Sequence, residues 1–218
     1  AEDGIRDDLV TGVQTCALPI LHAYSRGVAL AALGRLASAE AEQERFAAKC
    51  ADVPEGMVVL SNPVHDILAV GDAMLRGEIE YRRGRFDDGF DALREAVRRD
   101  DNLNYTEPWA WMHPPRHALG ALLLEQGRFD EAEQAYREDL GYVAGLPRCV
   151  QHPDNVWSLH GLAECLEHRA PDGGELAVVR QRLAIAQART DVHIGSSCGC
   201  RGLPISQPGE RTVSSLQS

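Results

Sequence analysis

The chain has 218 residues, of which 44% are hydrophobic and 25% charged, so it can bury a core of its own and wholesale disorder is excluded. Its net charge of −11 excludes a general attraction to nucleic-acid backbones or anionic lipid, and no apolar run is long enough for membrane insertion. Aromatics are only 6% and β-branched alternation is absent, which favours close-packed helices over sheets.

Residues 1–20 show neither a helical nor a strand period, and a helical pattern starts at Leu21 without a capping residue. This leader resembles translated sequencing-adaptor read-through. It is therefore expected to lie outside the fold and to replace the true beginning of a longer protein.

From Leu21 the chain reads as helical hairpins. Three stretches align: ALGRLASAE at 32–40, RRGRFDDGF at 82–90 and EQGRFDEAE at 125–133. Each places Gly-Arg-(Leu/Phe) between two amphipathic segments. Glycine suits the interhelix turn because it accepts positive φ, and a small residue three places after the Leu/Phe (Ala39, Gly89, Ala132) allows close helix approach.

The first unit spans about 21–50, with Gly27, Gly34, Leu36, Ala39 and Phe46. The second spans about 70–99, with Gly77, Gly84, Phe86, Leu93 and Ala96. The third, about 113–140, is the most regular: Leu119, Leu122 and Leu123 stripe its first helix, and Phe129, Ala132, Tyr136 and Leu140 its second. A fourth starts with Trp157 and Gly161 at core positions. Its turn is expanded through Pro171–Gly174, and its second helix carries Leu176, Val179, Leu183 and Ala186.

The turn glycines Gly34, Gly84 and Gly127 are 50 and 43 residues apart, against about 34 in a tight array. Insertions at 52–66, 101–115 and 141–154 account for the excess. The second holds Tyr105, Trp109, Trp111 and Met112. An insertion must fold back onto something to be ordered, so plugging the gap between the second and third units is the first reading, and an exposed recognition patch the second. Residues 195–218, rich in Ser, Gly and Pro, are expected to be a flexible tail, which leaves 21–194 as the repeat domain.

The pattern of small residue, turn glycine, opening aromatic, alanine and tyrosine resembles the tetratricopeptide repeat. The runs 105–120, 155–162 and 196–200 further resemble the C-terminal part of larger bacterial-type tetratricopeptide proteins, over about residues 21–201. That resemblance implies an all-α fold of antiparallel helical hairpins stacked as a right-handed superhelix. It offers no catalytic residue. The first helices would line a concave surface, and by repeat register Tyr24, Met74, Glu78, Tyr81, Arg82, His117, Ala121 and Glu125 would point into it, with Trp109 and Trp111 as further partner-binding candidates.

The expected role is a protein- or peptide-binding scaffold without catalysis. No phosphate loop, dinucleotide fingerprint, nucleophile elbow or zinc-finger spacing occurs. The alternatives are a regulatory or docking half of a larger enzyme whose catalytic part lies elsewhere, and a thiolate metal-binding protein.

For the last, Cys198 and Cys200 are spaced to hold Cu(I) or Zn²⁺, helped by His193, His160, His168 or Cys165. Otherwise they are free, reducible thiols in a tail, since the six scattered cysteines do not form a secreted framework and a cytoplasmic protein is expected; a disulfide across so short a ring is possible but strained. His113 and His117, four apart, could face one ion, but Pro114-Pro115 separates them and H-E-x-x-H is absent. Asp87-Asp88 and Asp100-Asp101 read as solvated helix ends.

Overall fold

The structure is a computed structural model that describes the backbone of residues 3–201 and the side chains of residues 17–201. It is all-α apart from one two-residue hairpin. The helices are α1 (Asp3–Ala32), α2 (Leu36–Ala51), α3 (Val64–Arg82), α4 (Phe86–Asp101), α5 (Pro115–Glu125), α6 (Phe129–Asp139), α7 (Val156–Arg169) and α8 (Gly174–Gln187). Consecutive helices pack as pairs, α1 with α2 through α7 with α8. Each pair rests on the next, through α2 on α3, α4 on α5 and α6 on α7.

The first three pairs turn in three residues centred on Gly34, Gly84 and Gly127, all at positive φ (71°, 83° and 70°). In each, the glycine N–H bonds three residues back and the following arginine N–H five residues back: Gly34 to Ala31 and Arg35 to Leu30, Gly84 to Tyr81 and Arg85 to Glu80, Gly127 to Leu124 and Arg128 to Leu123. This double closure satisfies the last carbonyls of the first helix, and only glycine enters it without steric cost. The fourth pair uses a longer turn, and α7 is instead capped by Asn155, whose side chain accepts from the Ser158 N–H at 2.8 Å.

Phe46, Phe90 and Tyr136 from the second helices are fully buried with Leu75, Ile79, Leu93, Leu122, Leu123 and Leu162. Gly120 of α5 and Gly161 of α7 lie on the Tyr136 ring, where a Cβ at either position would overlap it. The absence of side chains there lets one tyrosine fill the junction of the third and fourth pairs.

Two expectations are corrected, on where the helices begin and on the tail, and one insertion gains a structure. The helix expected from Leu21 starts at Asp3 and includes Pro19. Among its described side chains Ile20 is buried, and Ala17, Ile20 and Leu21 line an apolar cavity of ≈ 100 Å³ with Val53, Met57, Val59, Val64 and Leu68. The 52–66 insertion forms a hairpin, Val58–Val59 against Asn62–Pro63. Buried Asn62 ties it to the next insertion by donating to the Asn104 carbonyl (2.9 Å) and accepting from its N–H (2.6 Å). Residues 195–201 are docked on the helices; the calls on residues 1–2 and 202–218 lie outside the described residues.

Candidate functional site

The face built by the first helices is where repeat register places a binding surface. Its side chains are largely covered by the chain itself. Tyr24, Met74, Glu78, Tyr81, His117 and Ala121 are buried, and the Arg82 side chain is only 3% exposed. Of the expected partner-binding residues, Trp109 (42% exposed) and Glu125 (side chain 22% exposed) keep real access to solvent.

Two segments that sequence periods could not place do the covering. From the 101–115 insertion, Trp111 lies on Gly71, where any Cβ would collide with its ring, and its Nε1 donates to Met74 Sδ at 3.0 Å. Tyr24 meets the indole edge-on at 5.0 Å between centroids. Trp111 therefore packs between α1 and α3, in the first and second pairs and not in the expected gap between the second and third, whereas Tyr105, Trp109 and Met112 of the same insertion stay exposed. Trp157, expected in the core, is 39% exposed and stacks on His117, while Leu159 and Leu162 take the core positions.

The second segment is 195–201. Tyr136 Oη, emerging between Gly120 and Gly161, and buried Ser197 Oγ lie 2.6 Å apart in a hydrogen bond. Arg82 Nη2 donates to the Cys200 carbonyl, and Arg201 forks onto both Glu164 oxygens. Cys198 and Cys200 are joined in a disulfide, with Cα atoms 5.2 Å apart. Cys198 is buried with its Sγ 4.0 Å from His113 Nε2, and Cys200 is half-buried. This overturns the free thiol pair in a flexible tail. In the disulfide neither sulfur is the thiolate that Cu(I) or Zn²⁺ would require.

Beneath the segment, Arg82 Nε bonds Glu78 Oε1 at 2.8 Å, and its Nη1 stands 3.9 Å from Glu125 Oε1. Arg82 Nη1 and Glu125 Oε2 are buried without a hydrogen-bond partner. Burial raises the Glu78 carboxyl above its usual range against the pull of Arg82, and pushes the neutral His113 ring down to about 4.

A separate cluster explains His117. Asp139 of α6, with no exposed surface, receives His117 Nε2 at 3.0 Å, His152 Nδ1 at 2.6 Å, Asn155 Nδ2 at 2.8 Å and Ser158 Oγ at 2.6 Å. Burial alone would raise this carboxyl, but the bonds from His117 and His152 outweigh it and hold it below the carboxylate range. His117 thus anchors the 141–154 insertion between α5 and α7 instead of facing a partner or pairing with His113 on an ion. Among the described residues no group of three or more His, Cys, Asp or Glu is placed to hold a metal.

Asp139, His152, Ser158, Ser197, Glu164 and Arg201 are the site residues that periodicity missed, and the period placed Tyr136 in the core without its bond to Ser197. The Asn155–Ser158 capping spacing and the run Ser196-Ser197-Cys198 were their only local signals.

Asp100 is also partly buried, contrary to a solvated helix end. It lines a cavity of ≈ 40 Å³ with Tyr105, Thr106, Trp109, Cys149 and His152. Burial, then the neighbouring Asp101, push its carboxyl up to about 7. A carboxyl raised on folding contributes stability that is complete below its unfolded value of about 3.9 and is lost as pH rises through about 7. Asp100→Asn should therefore raise the melting temperature at pH ~8 and leave it unchanged at pH ~4. Thermal melts at the two pH values check this; an equal change at both would show that the carboxyl is not the cause.

Comparison with family models, with curated proteins and with solved structures finds no match to this chain. Among the described residues no helix is long and apolar enough to cross a membrane.

Proposed function

We propose that the chain is a peptide-binding scaffold of the tetratricopeptide type, with its helix pairs stacked as a right-handed superhelix. The concave face of α1, α3, α5 and α7 is its binding surface. One observation carries the reading: a non-helical peptide segment, 196–201, already lies against these helices in the manner of a ligand. Its main chain is held by Arg82, its hydroxyl by Tyr136 and its cation by Glu164. A carbonyl, a small hydroxyl side chain and an arginine are features that a peptide of another protein can present. The shared Gly-Arg-(Leu/Phe) turns support the family reading.

The test uses a labelled, disulfide-closed peptide of residues 195–201, titrated into a chain that ends at Ile194. Binding should weaken about tenfold in Arg82→Gln and in Glu164→Gln, because each removes a charge-assisted hydrogen bond. Equal affinity in all three proteins, each folded by circular dichroism, would remove the groove assignment. In a cytoplasmic setting the Cys198–Cys200 pair would meet reducing conditions, which bears on whether the segment stays in place.

A further inference from the structure

We propose that Cys198–Cys200 is an exchangeable disulfide that accepts two electrons from a dithiol, and that its reduction releases residues 195–201 from the first-helix face. The exchange stands on the geometry of the pair. Only its consequence, an opened surface, rests on the peptide-binding reading.

The two sulfurs differ in surroundings. Cys200 is half-buried and is the one a solvent thiolate can reach, while Cys198 is buried. Cys198 Sγ already accepts the Cys200 N–H at 3.2 Å and lies 4.0 Å from His113 Nε2. A sulfur that accepts a backbone N–H is prepared to carry negative charge, and a stabilised leaving thiolate speeds exchange.

The step follows from that polarity. A thiolate of the dithiol attacks Cys200 Sγ, the Cys198–Cys200 bond breaks, and its electron pair stays on Cys198 Sγ, which takes a proton from solvent. The second thiolate of the reductant then attacks its own sulfur in the mixed disulfide. Cys200 leaves as a thiolate and is protonated. One protein disulfide has become two thiols, and one dithiol has become a disulfide.

Among the described residues the remaining cysteines are not disulfide-bonded. Cys165 is buried, and burial pushes its thiol up to about 12; Cys50 is half-buried and Cys149 exposed.

Release follows from what the closed ring holds. It fixes the Cys198–Gly199–Cys200 backbone so that the Cys200 carbonyl meets Arg82 while Arg201 meets Glu164. Opening it restores freedom to a stretch centred on glycine, the residue with the most conformational entropy to regain. Without the segment Arg82 is uncovered, and its Nη1 and the Oε2 of Glu125, buried without partners, can regain hydrogen bonds to water.

The test takes the full chain in its oxidised form and adds millimolar dithiothreitol. Alkylation with mass spectrometry reads the thiols at Cys198 and Cys200, and hydrogen exchange reads residues 195–201. The pair should open while the helices remain folded, and segment exchange should rise about tenfold in step with the reduced fraction. Cys198→Ser/Cys200→Ser should exchange like the reduced wild type with or without reductant. Thiols that appear only on denaturation would overturn the exchange. A reduced chain, or a serine variant, as protected as the oxidised chain would overturn the release. No partner is present in any arm, so failure of the peptide-binding reading would leave these results untouched.

Discussion

Leu123→Asp is expected to unfold the third helix pair and to cost about 4 kcal/mol or more. Leu123 is 1% exposed in the last turn of α5, facing the junction with α4 and α6 near Val97, Leu119 and Ala135. Removing a buried leucine to alanine already costs about 2–5 kcal/mol, and a carboxylate at that position adds the penalty of an unpaired charge. Since α5 rests on α4 and packs against α6 and α7, the loss should propagate to the fourth pair. Leu123→Met, which keeps volume and polarity, should stay within about 1.5 kcal/mol of wild type. Urea unfolding by circular dichroism measures both. A Leu123→Asp midpoint equal to wild type would mean that the stripe Leu119, Leu122, Leu123 is not the buried face of this helix.

That stripe was legible because burial of a helix face writes a 3.6-residue period into the sequence, and glycine at positive φ marks each turn. Gly34, Gly84 and Gly127 were readable for that reason, and so were Phe46, Leu93 and Tyr136 as core, whereas Phe90 and Leu162 were not picked out. The covering of the first-helix face was not legible. Repeat register assigns Met74, Glu78 and Arg82 to that face, but it is blind to what an aperiodic segment lays over them. Trp111 and Ser197 reach their positions through contacts 37 and 61 residues away in the chain, with Met74 and Tyr136. A Ser/Gly-rich stretch looks flexible by composition, yet a few anchored polar atoms and a disulfide suffice to hold it.

Asp139 illustrates the same blindness within a helix, since on its periodic reading it is one more acidic residue near a helix end. Asp139→Ala is expected to destabilise the chain by about 3–5 kcal/mol. It would strand the His117 ring, the Ser158 hydroxyl and the Asn155 amide inside the protein, each now paired to a carboxylate with no exposed surface. The main chain reinforces the anchor, because His152 N–H also donates to the Asp139 carbonyl at 2.6 Å. Loss of the carboxylate should therefore loosen the 141–154 insertion and the start of α7 before the rest.

Asp139→Asn keeps the shape but turns an NH₂ toward groups that themselves donate, so it should fall between the alanine variant and wild type. The carboxyl is held below its usual range when folded, so its stabilisation is complete above the unfolded value of about 3.9 and is lost as pH falls below it. Wild type should lose stability on acidification in that window, and Asp139→Asn should lose less. Unfolding midpoints measured across the window decide the matter. An alanine variant as stable as wild type, or identical acid dependence in wild type and Asp139→Asn, would mean that this carboxylate does not hold α5, α6 and α7 together.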